Sequence, residues 1–203
     1  MRVCHGRAVQ LAQAGFDLIH TFDARAAARE PGLACLDGEL GILIGNTRAL
    51  WPPFVAAMRD PALAAEANPL ERYTERTIDV AITGAHPGAR IYYAHRRYDG
   101  AFLPFQRLAV ATGLGALAPS HLVIHPVFGP WFALRAIAIV RGSPPVRSPI
   151  AQPCRCEAPC REALARARGS TDWRAWLAVR DACTLSAQRY GDDQIRYHYT
   201  KVW

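Results

Sequence analysis

Four groups of residues in this chain are of types, and at spacings, that could do chemistry. The first is Trp131 to Val140 (Trp-Phe-Ala-Leu-Arg-Ala-Ile-Ala-Ile-Val), an apolar run with a single charge, Arg135. A charge set among apolar strand residues is costly unless paired. Arg135 must therefore either meet an internal carboxylate or reach into a ligand pocket. The second is His125-Pro126-Val127-Phe128-Gly129, just before that run. A histidine before a proline can be a ligand or a turn residue. The third is Arg180-Asp181 in a helical stretch, either a surface ion pair worth about 0.5 kcal/mol or a guanidinium available to an anion. The fourth is Cys154-x-Cys156-x-x-x-Cys160 with Cys183 downstream. These thiols could ligate Zn²⁺ or an iron–sulfur cluster. They lack the C-x₂-C-x₂-C-x₃-C-P ferredoxin spacing, so free thiols or a decayed cluster motif are the alternative.

The elements that position these residues follow from periodicity and punctuation. Residues 8–14 read as an amphipathic helix ended by Gly15, and Phe16 to Phe22 as a strand. Leu40 to Gly45 is an apolar run bounded by glycines, the pattern of a strand buried on both faces. Helices are expected from Leu50 to Met58, with Pro52-Pro53 in the first turn, and from Asn68-Pro69 to about Ala81. A strand or extended segment begins at Tyr92-Tyr93. Phe105 to Thr112 reads as a helix, His121 to Pro126 and Trp131 to Val140 as strands, and 157–168 and 172–187 as helices. Strands and helices mix without strict βαβ alternation, which favours α+β, a sheet with helices packed around it.

Composition sets the frame. The 203 residues are 51% hydrophobic with 15 Gly and 15 Pro, a globular composition that suits one domain over 1–203. No apolar run reaches the length of a membrane span, and the basic start, Met1 to Arg7, has no cleavage pattern of a signal peptide. Six cysteines in a chain of this size do not suggest a disulfide scaffold. A cytoplasmic protein is expected. The net charge is +7, and Lys201 is the one lysine among 24 basic residues. Arg suits bidentate grip of carboxylate or phosphate. The arginines are scattered, though, and the densest group, Arg161 to Arg168, reads as a solvated helix face. No stacking motif supports nucleic-acid binding.

The stretch from Ile124 to Arg135 resembles the His-Pro-x-Phe-Gly-Gly-Trp-Phe-Ala-Ile-Arg segment of the CblC (MMACHC) cobalamin-processing family. Asp172 to Ala182, with Gln188-Arg189-Tyr190 and Asp193-Gln194, is similar to that family's Trp-Arg-Asp-Trp-x-x-Arg-Asp-Ala and Glu-Arg-Tyr-Ser-Glu-Glu-Gln. Ala85-His86 with Tyr92-Tyr93, and Leu40 to Phe54, are further matches in the same order. The set spans roughly residues 9–199. Departures occur: Ala94-His95 replaces a Tyr and a Gln, Pro130 replaces a Gly, and about ten extra residues lie between Tyr93 and His125. That insertion is similar to bacterial relatives of the epoxyqueuosine reductase type.

The resemblance implies a nitroreductase-like α+β fold, a mixed or antiparallel sheet flanked by helices. It implies cobalamin bound base-off, reductive decyanation with a reduced flavin (FMN or FAD), and dealkylation by glutathione. Arg135 and Arg180 would hold the glutathione carboxylates. His86, Tyr92, Tyr93, His125, Phe128, Gly129 and Trp131 would be the cobalamin-binding residues. Asp-x-His-x-x-Gly, the pattern that supplies a histidine to cobalt, does not occur, which fits base-off binding. Expected partners are cobalamin, a thiol or reduced flavin and a flavoprotein reductase, with neither nucleic acid nor membrane. A monomer or homodimer is expected. The rival readings are an iron–sulfur oxidoreductase using cobalamin, a non-enzymatic corrinoid carrier, and a flavin nitroreductase-like protein.

Overall fold

In the computed structural model, β1 (Leu18–Asp23), β2 (Leu40–Asn46), β3 (Arg90–Tyr93), β4 (Arg97–Tyr98), β5 (Ala101–Phe102), β6 (Ala116–Leu117), β7 (Val123–Ile124) and β8 (Ala133–Val140) make up three sheets. The structure describes residues 9–146, 154, 156 and 159–202. Cys4 and the segment read for a leader, Met1 to Arg7, lie outside them, as do 157 and 158 of the helix expected at 157–168. The main sheet has the order β1-β2-β8-β3, and every pairing in it is antiparallel. Pairs β4–β5 and β6–β7 form two small hairpins.

The sheet is covered on both faces. On one side the helices Trp51–Ala57, Pro69–Ala85 and Asp192–Thr200 bury Phe54, Ile78, Ile82 and Tyr197 against Ile42, Ile44 and Ala136. On the other, Ala24–Ala27 and Phe105–Ala111 pack Leu108 and Ala109 against Leu43, Ile137 and Ile139. The glycine-bounded run at Leu40 is therefore a strand buried on both faces, as its lack of alternation predicts. Helices Pro159–Ala167 and Trp173–Asp181 pack together through Ala163, Leu164, Ala167 and Val179. No helix among the described residues is long and apolar enough to cross a membrane. The α+β fold with an antiparallel sheet flanked by helices is thus present.

The boundaries differ from the sequence reading in informative ways. The strand expected at 121–126 shrinks to Val123–Ile124, because His121 takes a left-handed φ of 62° and His125 turns the chain. The helix expected at 172–187 stops at Asp181. The Asp192–Thr200 helix buries Tyr197 in the sheet core and Ile195 against Trp131 and Tyr190, and it has no strong apolar period in the sequence. The largest difference lies inside β8. Gly45 pairs with Leu134 and Ile44 with Ala136, so Arg135 is an extra residue, a β-bulge. Leu134 and Ala136 would share a face in a regular strand. Here Leu134 packs with one core and Ala136 with the other.

Candidate functional site

The bulge aims Arg135 out of the regular alternation, toward buried Asn46 at the end of β2. Arg135 Nε donates to Asn46 Oδ1 at 2.6 Å. Asn46 is fixed in turn, its Nδ2 donating to the Thr47 carbonyl, and Thr47 is held by Asp17. Of the two fates open to Arg135, the internal carboxylate is not met. Its partner is a neutral amide, and it takes part in none of the described ion pairs. Burial lowers its pKa, outweighing the opposing pull of Tyr190 and Glu71, as expected for a cation taken from water without a direct ion pair.

Arg180 arrives from the helix Trp173–Asp181. That helix starts where Asp172 accepts from the Arg174 N–H at 3.0 Å, a capping contact. Trp173, Leu177 and Arg180 follow at i, i+4 and i+7, so they share a face. That face meets fully buried Trp131. The Arg180 guanidinium carbon lies 5.8 Å from the indole centroid. Asp181 does not pair with Arg180; it pairs with Arg189 at 2.7 Å, and Asp192 also meets Arg189, at 3.2 Å. Arg189 is therefore neutralised where it lies over the same indole, 5.5 Å away. Arg180 is not.

Three buried side-chain atoms among the described residues have no hydrogen-bond partner: Trp131 Nε1, Arg180 Nη1 and Tyr190 Oη. They belong to one cluster. The rings of Trp131 and Tyr190 meet edge to face at 5.6 Å, and burial pushes the Tyr190 pKa up to about 12. His198 lies beside Tyr190, ring centroids 6.3 Å apart. Burial lowers its pKa to about 3, and the positive charges of Arg180, Lys201 and Arg135 add to this. A cavity of about 250 Å³ is lined by Arg180, His198, Tyr199 and Ser120, with Leu164 and Val179 on its apolar side. A half-open pocket walled by the Arg180 guanidinium can bind an anion and can favour a thiolate over a thiol.

The other sequence candidates are spread over the fold. His125 closes a turn. Its backbone N–H and carbonyl pair with those of Gly129, both at 2.9 Å, and its Nδ1 accepts from the N–H groups of Val127 and Phe128. Phe128 stacks on the imidazole at 4.6 Å. Gly129 has a left-handed φ of 57°, and a Cβ there would sit 2.1 Å from the Leu185 carbonyl oxygen. Neighbours in a strand point opposite ways, which separates Tyr92 from Tyr93. Tyr93 is buried among the helices, donating to Asp79 Oδ1 at 2.6 Å. Tyr92 is half-buried on the other face, donating to the Cys35 carbonyl at 2.8 Å. Trp131 and Tyr93 are thus both core residues. His86 caps the helix Pro69–Ala85 and lines a cavity of about 560 Å³ with Arg90, Ile139 and Val140. That is the far end of β8, four residues or about 14 Å along from Arg135.

The thiols of Cys154 and Cys156 lie 3.9 Å apart, Cys160 is buried and Cys183 half-buried. Among the described residues no three His, Cys, Asp or Glu side chains are gathered as a metal site. Tyr190 and His198 are the members of the cluster that the sequence reading missed. Tyr190 lies inside the matched Gln188-Arg189-Tyr190 motif, and that was its available signal.

The buried histidines give a pH prediction. Burial lowers the pKa of His20, His125 and His198, each from an unfolded value near 6.5. A group that binds its proton more weakly when folded stabilises the fold above the unfolded pKa. The contribution is lost as pH falls. For His198 alone this amounts to about 2 kcal/mol by pH 5, at roughly 1.4 kcal/mol per pH unit. The melting temperature should drop by roughly 4 °C or more between pH 7 and pH 5, at about 2–4 °C per kcal/mol in a chain of this size. His198→Asn should flatten that slope; an unchanged slope in this variant would refute the buried, neutral state of His198.

No family model matches the chain. It is similar to curated relatives named cyanocobalamin reductase / alkylcobalamin dealkylase, at 30% identity in Bos taurus and 31% in Homo sapiens, over 122 residues. The match covers 60% of this chain and 39% of each relative, so the chain spans about two fifths of the curated relatives it matches. A solved B12-trafficking protein CblC of C. elegans superposes with a TM-score of 0.68 at 16% identity, covering 98% of this chain and 90% of that one. The sequence matches bear out the resemblance to the CblC family, and the structural match shows the shared fold.

Proposed function

We propose that this chain, a relative of the CblC cobalamin-processing proteins, binds cobalamin and removes its upper axial ligand, with an anionic thiol of the glutathione class as one co-substrate. The observation that carries this reading is that two guanidinium groups outside the described ion pairs, Arg135 and Arg180, bear on the same buried His198, with Arg180 over the Trp131 indole and its Nη1 unpartnered. Two cations gathered in a largely apolar place raise each other's energy unless an anion joins them. A thiol bearing two carboxylates meets that need, and the same field favours its thiolate. In the dealkylation the thiolate sulfur takes the alkyl group, and cobalt keeps the electron pair of the broken bond. Two positioned guanidinium groups would fix the sulfur in line with the alkyl carbon, which can lower a barrier by several kcal/mol.

The macrocycle needs a broad apolar face rather than a charged one. Tyr92, Phe128 and Leu134 are partly buried apolar side chains packed on the same core, and His125 stacks on Phe128. These residues fit a corrin face. Gly129 keeps the turn that holds His125 and Phe128. His86 lies at the other end of the sheet and takes no part in this reading. Reductive decyanation would draw its electrons from a reduced flavin carried by a partner reductase.

The test is the absorption spectrum of methylcobalamin on mixing with the protein, then with glutathione. The expected result is a shift to the base-off form on binding, followed by loss of the alkyl–cobalt absorbance with thiol. A spectrum identical to free, base-on methylcobalamin at saturating protein would defeat the proposal. Binding without turnover would leave the corrinoid-carrier reading in its place.

A further inference from the structure

We propose that Cys154 and Cys156 form a redox-active dithiol that reduces small-molecule disulfides by thiol–disulfide exchange, closing into an internal Cys154–Cys156 disulfide. This activity is separate from the corrinoid reading above and uses none of its residues.

The fold gathers four of the six cysteines. Helices Pro159–Ala167 and Trp173–Asp181 pack together through Ala163, Leu164, Ala167 and Val179, and the short connection between them makes them antiparallel. The start of the first, with Cys160, therefore meets the end of the second, with Cys183 just beyond Asp181. Cys154 and Cys156 stand at the same end. The thiols of Cys156 and Cys160 act electrostatically on Cys183, and the same two act on Cys154.

Within this group Cys154 and Cys156 are in contact, Sγ to Sγ 3.9 Å, and both are partly exposed. A disulfide brings its sulfurs to about 2.0 Å and spans Cα distances of about 4.4–6.8 Å. Residues two apart in a chain lie at most ~7 Å from each other, so the bond needs only a local adjustment. A metal site needs further ligands at the same range, and among the described residues no three His, Cys, Asp or Glu side chains are gathered so. A dithiol needs only the pair.

Burial and the adjoining Cys156 thiol raise the pKa of Cys154, so Cys156 supplies the first thiolate. Its sulfur attacks one sulfur of the disulfide RS–SR. That S–S bond breaks, RS⁻ leaves with the bonding pair and takes up a proton, and Cys156 is left in a mixed disulfide with RS. Cys154 then gives up its proton and attacks the Cys156 sulfur, displacing the second RS⁻. The dithiol has lost two electrons and two protons, and RSSR has become two RSH.

The experiment uses glutathione disulfide and the whole chain, reduced and then freed of reductant without oxygen, with mass spectrometry before and after digestion. The wild type should release two glutathione molecules through this pair and leave it lighter by two hydrogen atoms, with no adduct on either sulfur. Trypsin cuts after Arg155, so the closed pair joins two peptides that a reductant separates. Cys154→Ser should stop at the mixed disulfide, releasing one glutathione and carrying the other on Cys156. Cys160→Ala and Cys183→Ser should form the same link as the wild type, which assigns it to Cys156 and not to Cys160 on the same peptide. A lasting glutathione adduct on wild-type Cys156, loss of the link in Cys160→Ala, or no reaction of the wild type would each overturn the dithiol. So would a stoichiometric metal ion in the purified wild type that is lost in Cys154→Ser.

Discussion

Replacing either Arg135 or Arg180 with Gln should cut the dealkylation rate at limiting glutathione roughly ten- to a hundredfold, with methylcobalamin affinity nearly unchanged. Each change removes a charge-assisted contact to a carboxylate, on the order of 1.5–3 kcal/mol, and about 1.4 kcal/mol is a factor of ten. The two variants should differ in stability. Arg135 Nε holds buried Asn46, and Gln cannot reproduce that contact at the same reach, so Arg135→Gln should lower the melting temperature. Arg180 takes part in none of the ion pairs among the described residues, and its Nη1 is unpartnered there. Arg180→Gln should therefore leave the melting temperature unchanged or higher. Reductive decyanation with a reduced flavin should suffer less in both, since it needs electrons and no bound thiolate. Steady-state kinetics against glutathione concentration, beside a cobalamin titration, read all of this. Equal losses in cobalamin affinity, decyanation and dealkylation would show that the arginines only support the fold.

Much of this site is legible in the sequence because charge is conspicuous against an apolar run. Arg135 stands out in β8, and the match to CblC proteins pairs it with Arg180; in the fold the charges of both reach the same buried His198. The central strand is legible for a similar reason: Leu40 to Gly45 lacks alternation because both faces are buried. What is not legible depends on geometry that composition does not encode. Tyr92-Tyr93 reads as one aromatic pair, and the strand period sends one tyrosine to each core. Trp131 reads as an aromatic surface for a ring, and it is instead fully enclosed between guanidinium groups. His125 reads as ligand or turn residue, and the pair of backbone N–H groups on its Nδ1 places it in the turn. The convergence of Cys154 with Cys156 was readable from their spacing; their relation to a metal was not.

The bulge in β8 is the least legible feature and the one on which the site depends. A one-residue insertion against β2 leaves no mark in an apolar strand, yet it turns Arg135 toward Asn46. Gly45 is the residue opposite, and its lack of a side chain admits the bulge. A Cβ at Gly45 would lie 2.6 Å from the Ala133 carbonyl oxygen and 2.9 Å from Leu18 Cδ2. Backbone on one side cannot yield cheaply, so Gly45→Ala should cost about 1–3 kcal/mol, or roughly 2–12 °C in melting temperature at the slope for a chain this long. It should also shift the β8 backbone at Arg135 and lower the rate at limiting glutathione by about tenfold or more, as expected when positioning is lost by an ångström. Gly41→Ala supplies the comparison. It lies on the same strand, and its Cβ would meet the Phe22 ring at 2.1 Å, away from the bulge. That variant should lose stability of the same order and keep its affinity for S-methylglutathione. If the two variants weaken S-methylglutathione equally at equal stability, general loosening of the sheet explains the effect, and the bulge has no special part in placing Arg135.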